Sequence, residues 1–323
     1  MGDLNMRLYY SLFILSFMCA PLSAYDFIRH TDDLEHSRFF DTSFISNYPA
    51  VKKVLLAEEN FTEVFFPTPA GHVLQGLFRK VANPDFTIIF CSGFIPGKQE
   101  GIATFITMMP KNCNILFFNG HGKGKSTGLL SFINLLNYGR YDYMDTLGAI
   151  NYAHFMNQGP LFIHGICAGA FHAAHALYHV RDLTQSYNIA GFICDSVWSS
   201  VDQVTIGVVD DELSRTTSYF KRFSLRLGRF FAAYIASPLV RRYAHETDLT
   251  NKITALQMPT LFIHSHDDTL TTIAPAQRLA GMVRNTEQWW IETPSKHACH
   301  HLKYKYQYAE KLASFISRAL DNG

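Results

Sequence analysis

The sequence predicts an α/β fold: a mostly parallel eight-stranded sheet with helices on both faces and a helical cap inserted after the sixth strand. Three observations carry that prediction. Short runs that are apolar throughout recur along the chain, as expected of strands covered on both faces. Most stretches between them carry helical periodicity. One stretch, Val197 to about Ile253, is far longer than a simple crossover and marks the cap.

Composition narrows the class before any motif is read. Of 323 residues, 48% are hydrophobic, 14% aromatic and only 17% charged, and the formal net charge is +1. That excludes a disordered chain and argues against a general nucleic-acid binder, which would carry a basic excess. Six cysteines are too few for a disulfide scaffold in a chain of this length.

Residues 1–24 read as a secretory signal. Arg7 precedes an uncharged, mostly apolar run from Leu8 to Tyr25, with a small-residue exit at Ser23 and Ala24. A retained membrane anchor is the competing reading, but Pro21 and the serines shorten the apolar part below a comfortable span. The chain is therefore expected to be exported, periplasmic or secreted, with residues 25–323 as one domain. Five cysteines then remain, Cys91, Cys113, Cys167, Cys194 and Cys299, and an odd number leaves at least one thiol unpaired in a monomer.

A helix is expected around Val51 to Glu59. Phe61–Phe66 and Leu74–Phe78 flank a turn at Pro69-Ala70-Gly71 and read as a hairpin. The next strands are Phe86–Cys91, Asn114–Phe118, Leu161–His164, Ile189–Cys194, Leu261–His264 and Gln288–Ile291. A closing helix is anchored by Tyr308, Leu312, Phe315 and Leu320. Within the cap, Phe220, Phe223, Leu227, Phe230, Phe231 and Tyr234 fall within about a 100° arc at helical pitch, with Arg222, Arg226 and Arg229 on the other side. Two readings stay open: a helix packing its apolar stripe on the domain beneath a solvated basic face, or a lid that also meets anionic or lipid surfaces.

The run Asn119-Gly120-His121-Gly122-Lys123-Gly124-Lys125-Ser126 imitates a phosphate-binding loop. Position 119 lacks the required glycine, and no convincing helix follows Ser126, so backbone N–H groups do not converge on a phosphate.

The informative segment is Gly165-Ile166-Cys167-Ala168-Gly169. It follows an apolar strand and precedes the helical run Ala170 to Leu177, and glycines stand two residues either side of a nucleophile. Such an elbow strains the central residue, and neighbouring Cβ atoms would clash. It also sets Cys167 at a helix N-terminus, where the dipole favours thiolate. The competing reading is a small-residue turn with a structural cysteine. Two later features bear on the choice: the strand ending in Asp267 and Asp268, and His297 between the last strand and the closing helix. Nucleophile, acid, histidine is the chain order of this architecture.

From Phe61 onward the chain resembles the α/β-hydrolase superfamily. Cys91-Ser92-Gly93-Phe94 is similar to the segment after the third strand whose backbone N–H helps form the oxyanion hole. Asn119-Gly120-His121-Gly122 resembles the loop after strand four, and the insertion falls at the usual cap position. The resemblance implies Phe94 and Ala168 as backbone donors to an oxyanion. Two departures stand out: cysteine replaces the usual serine, as in dienelactone-hydrolase-like members, and Cys91-Ser92 replaces the usual histidine.

The expected activity is hydrolysis of an ester, thioester or lactone through an acyl-cysteine, with Cys167 as nucleophile, His297 as base and Asp268 as orienting acid. The substrate is then a small-molecule or lipid-like acyl compound, and no metal or organic cofactor is required. Asp267 and Asp195 are rival acids, and His300 and His301 rival bases. The alternation of His297, Cys299 and His301 lacks a second ligand cluster of conventional spacing. An acyltransferase using the same triad, and a non-catalytic binding protein on the same scaffold, are the alternative functions.

Overall fold

The computed structural model describes residues 60–93, 105, 106, 108–128, 142–200, 203, 206, 207, 209, 210, 213, 214, 216–231, 248–293, 295 and 297–321. The leader, the helix expected at Val51 to Glu59, Phe94 and Tyr234 lie outside these residues.

Eight strands form one sheet in the order β1-β2-β4-β3-β5-β6-β7-β8. They are β1 (Phe61–Pro67), β2 (Val73–Arg79), β3 (Phe86–Cys91), β4 (Cys113–Phe118), β5 (Leu161–Ile166), β6 (Ile189–Asp195), β7 (Thr260–Ser265) and β8 (Thr286–Ile291). β1 and β2 pair antiparallel as the expected hairpin, and β2 runs antiparallel to β4. Every other pairing is parallel. Strands β3, β4, β5 and β7 are buried along their whole length, because helices cover both faces.

The two faces have separate cores. One joins Ile89, Leu116, Ile163, Phe192 and Phe262 to α1 (Tyr143–Met156), α2 (Ala168–His179) and α4 (Ile273–Met282). The other joins Ile88, Phe117, Phe162, Leu261 and Ile263 to Phe105 and to the closing helix α5 (Lys305–Asp321) through Tyr308, Leu312 and Phe315. Alternate residues of each strand serve opposite cores, as the period of two requires. The phenylalanine excess resides here: Phe61, Phe66, Phe78, Phe105, Phe117, Phe162, Phe171, Phe192, Phe262 and Phe315 are all essentially sealed from solvent.

The glycine-lysine run is a turn held by side chains. Ser126 Oγ donates to the Asn119 carbonyl at 2.9 Å and accepts from the Gln75 N–H at 2.9 Å. Lys125 Nζ reaches Glu63 at 3.1 Å, and the His121 N–H and ring both contact Asp145 at 2.8 Å.

The insertion leaves the sheet after β6 and returns before β7. Its ends are drawn together where the Leu249 N–H donates to the Ser199 carbonyl at 2.9 Å. Gly207 within it packs so tightly on the carbonyl of Leu270 that a Cβ there would stand 2.1 Å from the oxygen. Helix α3 (Tyr219–Phe231) is the amphipathic element the sequence marks. Its orientation differs from the packed-stripe reading. Among its described side chains Leu225 is the one it buries, while Phe220, Phe223, Leu227 and Phe230 are 74%, 59%, 49% and 53% exposed. Half-buried Lys221, Ser224, Gly228 and Arg229 share the inward side with Leu225, so that side makes the contact and the apolar stripe points out.

Candidate functional site

Cys167 sits between β5 and α2 with φ 57° and ψ −120°, a left-handed conformation unusual for a residue with a side chain. The two glycines make that turn sterically feasible. A Cβ on Gly165 would stand 2.4 Å from Ala170 Cα, and one on Gly169 only 1.9 Å from the Cys91 carbonyl oxygen. The strained turn is held by the Cys167 N–H, which donates to the Asp195 carbonyl at 2.9 Å. The result lifts a half-buried cysteine to the carboxyl-end edge of the parallel strands, where α/β sheets bind ligands. Ala168 is the first residue of α2, so its N–H has no intrahelical acceptor. Gly93 ends the described segment after β3, and Phe94 lies beyond it.

The acid turn after β7 separates its two aspartates. Asp267 is exposed, whereas Asp268 is 3% exposed and turned inward. Its Oδ1 accepts the N–H groups of Leu270 at 3.0 Å and Thr271 at 2.9 Å. Its Oδ2 accepts the Thr271 hydroxyl at 2.9 Å and lies 2.7 Å from His297 Nδ1. Burial works against the charge on Asp268, but His297 and these donors outweigh it and hold the carboxyl down to about 2. Thr271, three residues beyond Asp268, joins this pair through its N–H and hydroxyl and is not singled out by the sequence. An Asp-x-x-Thr spacing with the threonine N–H and hydroxyl both free to donate is the signal for it.

His297 shows the complementary shift. Burial disfavours its imidazolium, yet the Asp268 carboxylate and the Cys167 sulfur together raise its pKa well above the ordinary value. The sulfur is near enough for that influence, although Nε2 makes no hydrogen bond of good geometry to any described protein atom. With Nδ1 donating to Asp268, Nε2 is the nitrogen left for chemistry.

Two of the rival residues, Asp195 and His300, belong to a second, buried network. Asp195 Oδ2 accepts the Tyr308 hydroxyl at 2.8 Å, and Oδ1 accepts the Ser196 hydroxyl at 2.7 Å. His300 Nε2 lies 3.0 Å from Ser196 Oγ, and His300 Nδ1 lies 2.8 Å from Ser295 Oγ. His164 Nε2 lies 3.0 Å from the Tyr308 oxygen, and burial holds its pKa at about 3, so it donates there as a neutral ring. Every hydrogen bond in this network can therefore point toward the Asp195 carboxylate. The Ala298 N–H also donates to Ser196 Oγ at 3.3 Å, which fastens the segment bearing His297 to the end of β6. His301 packs edge-on to Phe105 and Tyr308, and burial lowers its pKa to about 4.

Of the other cysteines, Cys91, Cys113 and Cys194 are buried, and burial pushes all three thiols up, Cys91 to about 12. No disulfide joins any two of the five described cysteines. Among the described residues, no set of three His, Cys, Asp or Glu side chains is grouped to hold a metal ion.

This combination of sheet order, strained elbow and late histidine is the α/β-hydrolase fold. Solved structures of that fold superpose on most of the chain. An esterase of Pyrococcus furiosus matches 80% of it and 90% of its own length, with TM-score 0.60 at 16% identity. A protein described as a putative aryl esterase from Burkholderia cenocepacia matches 80% and 100%, with TM-score 0.55 at 16% identity. A bacterial membrane phospholipase A matches 85% and 93%, with TM-score 0.55 at 10% identity. No protein-family model and no curated protein matches the sequence.

Proposed function

We propose that the protein is an exported hydrolase of ester-type bonds that works through an acyl-cysteine on Cys167. The observation that carries this reading is the conjunction at one sheet edge of a strained cysteine and a histidine that both Cys167 and Asp268 push toward the charged form.

Asp268 fixes the His297 tautomer, and Nε2 takes the Cys167 proton. The sulfur attacks the substrate carbonyl carbon, forming a C–S bond while the carbonyl electron pair moves to oxygen. The Ala168 N–H, at the start of α2, donates to that oxyanion, with the Phe94 N–H as the second donor implied by the resemblance. Collapse breaks the bond to the leaving alcohol or thiol, which receives the proton from His297. A water molecule then gives a proton back to His297 and attacks the thioester, releasing the carboxylic acid and restoring Cys167. The esterases and the phospholipase sharing the fold support an ester as the bond cleaved.

The test is mass spectrometry of the protein after brief exposure to short-chain p-nitrophenyl esters and matching thioesters. An acyl adduct on Cys167, with turnover lost in Cys167→Ala, is expected. Turnover unchanged in Cys167→Ala would overturn the reading. Export is checked by the intact mass of the mature chain: loss of residues 1–24 is expected, and their retention contradicts it.

A further inference from the structure

The outward half of α3 combines two features that do not need each other for folding. At 100° per residue, Phe230, Phe223, Leu227 and Phe220 occupy about 80° of the helix surface. Arg226 and Arg222 border the Phe230 side within about another 80°. Both arginines are exposed, and neither forms an ion pair with a described residue. Arg229, further round, is instead held by Asp210, with Nη2 at 3.0 Å from Oδ2. Leu225 anchors the opposite face at 3% exposure. Between Glu212 and Glu246 the chain has seven basic residues and no acidic one, although the whole protein carries a net charge of only +1.

We propose that this face of α3 is a docking surface for a lipid bilayer bearing anionic headgroups. The geometry is that of an interfacial helix. Four large side chains can enter the acyl boundary while the guanidinium groups beside them remain at headgroup level. Phe220, Phe223 and Leu227, with Tyr219 at 87% exposure beside them, present a convex apolar surface that is costly in water. A second copy of the chain is the poorer partner, because it brings no negative charge to Arg222 and Arg226, and an antiparallel two-fold contact through this face would oppose arginine to arginine. The Leu249–Ser199 hydrogen bond and the Gly207–Leu270 contact tie the insertion that carries α3 to the segments following β6 and β7, at the carboxyl-end edge where Cys167 also stands. The surface is argued independently of the chemistry at Cys167.

The experiment uses the full chain and two kinds of vesicle, phosphatidylcholine alone and phosphatidylcholine with phosphatidylglycerol. Binding to the anionic vesicles is expected to exceed binding to the neutral ones and to weaken with salt. Arg222→Ala with Arg226→Ala should reduce it roughly thirtyfold. A Phe223→Trp reporter should be quenched by brominated lipid beyond the level of the three native tryptophans, which localises insertion to α3 rather than to the N-terminal apolar run. Equal binding by wild type and the double-arginine variant, or no extra quenching of the reporter, overturns the proposal. So does a wild-type dimer that ignores both vesicles and becomes monomeric on Phe220→Ser with Phe223→Ser. Esterase activity is read in parallel on a soluble substrate, so a failure of docking is distinguishable from a failure of the chemistry.

Discussion

His297 Nδ1 lies 2.7 Å from Asp268 Oδ2, and the hydroxyl of Thr271 touches both, at 3.0 and 2.9 Å. The Asp268 carboxylate is thus saturated by two backbone N–H groups, a hydroxyl and an imidazole while it is removed from water. A carboxylate so fully engaged is rigid, and it defines both the tautomer and the plane of the histidine ring.

Asp268→Asn should therefore lower kcat far more than it raises KM, by about 10³-fold or more, since an amide cannot keep the same tautomer or stabilise the imidazolium. Thr271→Ala should produce a smaller fall, roughly tenfold, because it removes one hydroxyl and leaves the backbone donor. Steady-state kinetics on an activated ester measure both. If Asp267→Asn had the larger effect, the assignment of the acid would be wrong.

Stability should fall with acid in a window defined by buried histidines. The folded pKa values of His164 and His301 are lowered from 6.5 to about 3 and about 4 by burial, against the opposing pull of Asp195. The unfolded chain then binds protons that the folded one refuses, so their contribution is complete above pH 6.5 and is lost as pH falls toward 4 and 3. His297 has the opposite sign: its raised pKa contributes fully below 6.5 and is lost as pH rises through its folded value. Asp268 contributes above its ordinary value of 3.8 and loses that as pH falls through about 2. Thermal midpoints from pH 4 to 8 should show the acid slope, and His164→Phe should flatten it. An unchanged slope would count against His164 as its source.

The elbow predicts a steric result. Gly169→Ala should destabilise the fold by about 3 kcal/mol or more, since its Cβ meets backbone rather than a flexible side chain. Denaturant unfolding reads this directly. A tolerated alanine would show that β3 and α2 are further apart than described.

The Asp195 network makes a prediction about position. Ser196→Ala removes the oxygen that accepts the Ala298 N–H and the link from Asp195 to His300. It should loosen the segment carrying His297 and lower kcat about tenfold, with KM little changed. It should also slow alkylation of Cys167 near neutral pH, a substrate-free reading of the same geometry. A loss of thermal stability with kcat and alkylation both intact would make the network purely structural.

Cysteine exposure gives a further check. Iodoacetamide should modify Cys167 and then Cys299, both half-buried, while Cys91, Cys113 and Cys194 react only after unfolding. Peptide mapping of the native protein decides it.

Much of this architecture is readable in the linear chain. All eight strands, the antiparallel hairpin and the elbow follow from local signals: apolar runs, turn residues and glycines two positions either side of a nucleophile. The order of Cys167, Asp268 and His297 follows from the same reading. What local pattern cannot supply is direction. Asp267 and Asp268 are adjacent and chemically identical, yet one faces solvent and the other faces a histidine 29 residues away. His297, His300 and His301 lie within one short segment, but the turn at Ala298, with φ 54°, sends them to different neighbours.

The cap helix makes the same distinction. Sequence by itself determined that α3 has an apolar stripe and a basic flank, because periodicity depends only on the 3.6-residue turn. Tertiary structure alone decided that Leu225 goes inward and the stripe outward, because that choice rests on what the rest of the chain presents to the helix. The fold class was thus written in local, repeating patterns, while the aspartate and histidine that meet, and the face of α3 that is exposed, were selected by contacts between residues far apart in the chain.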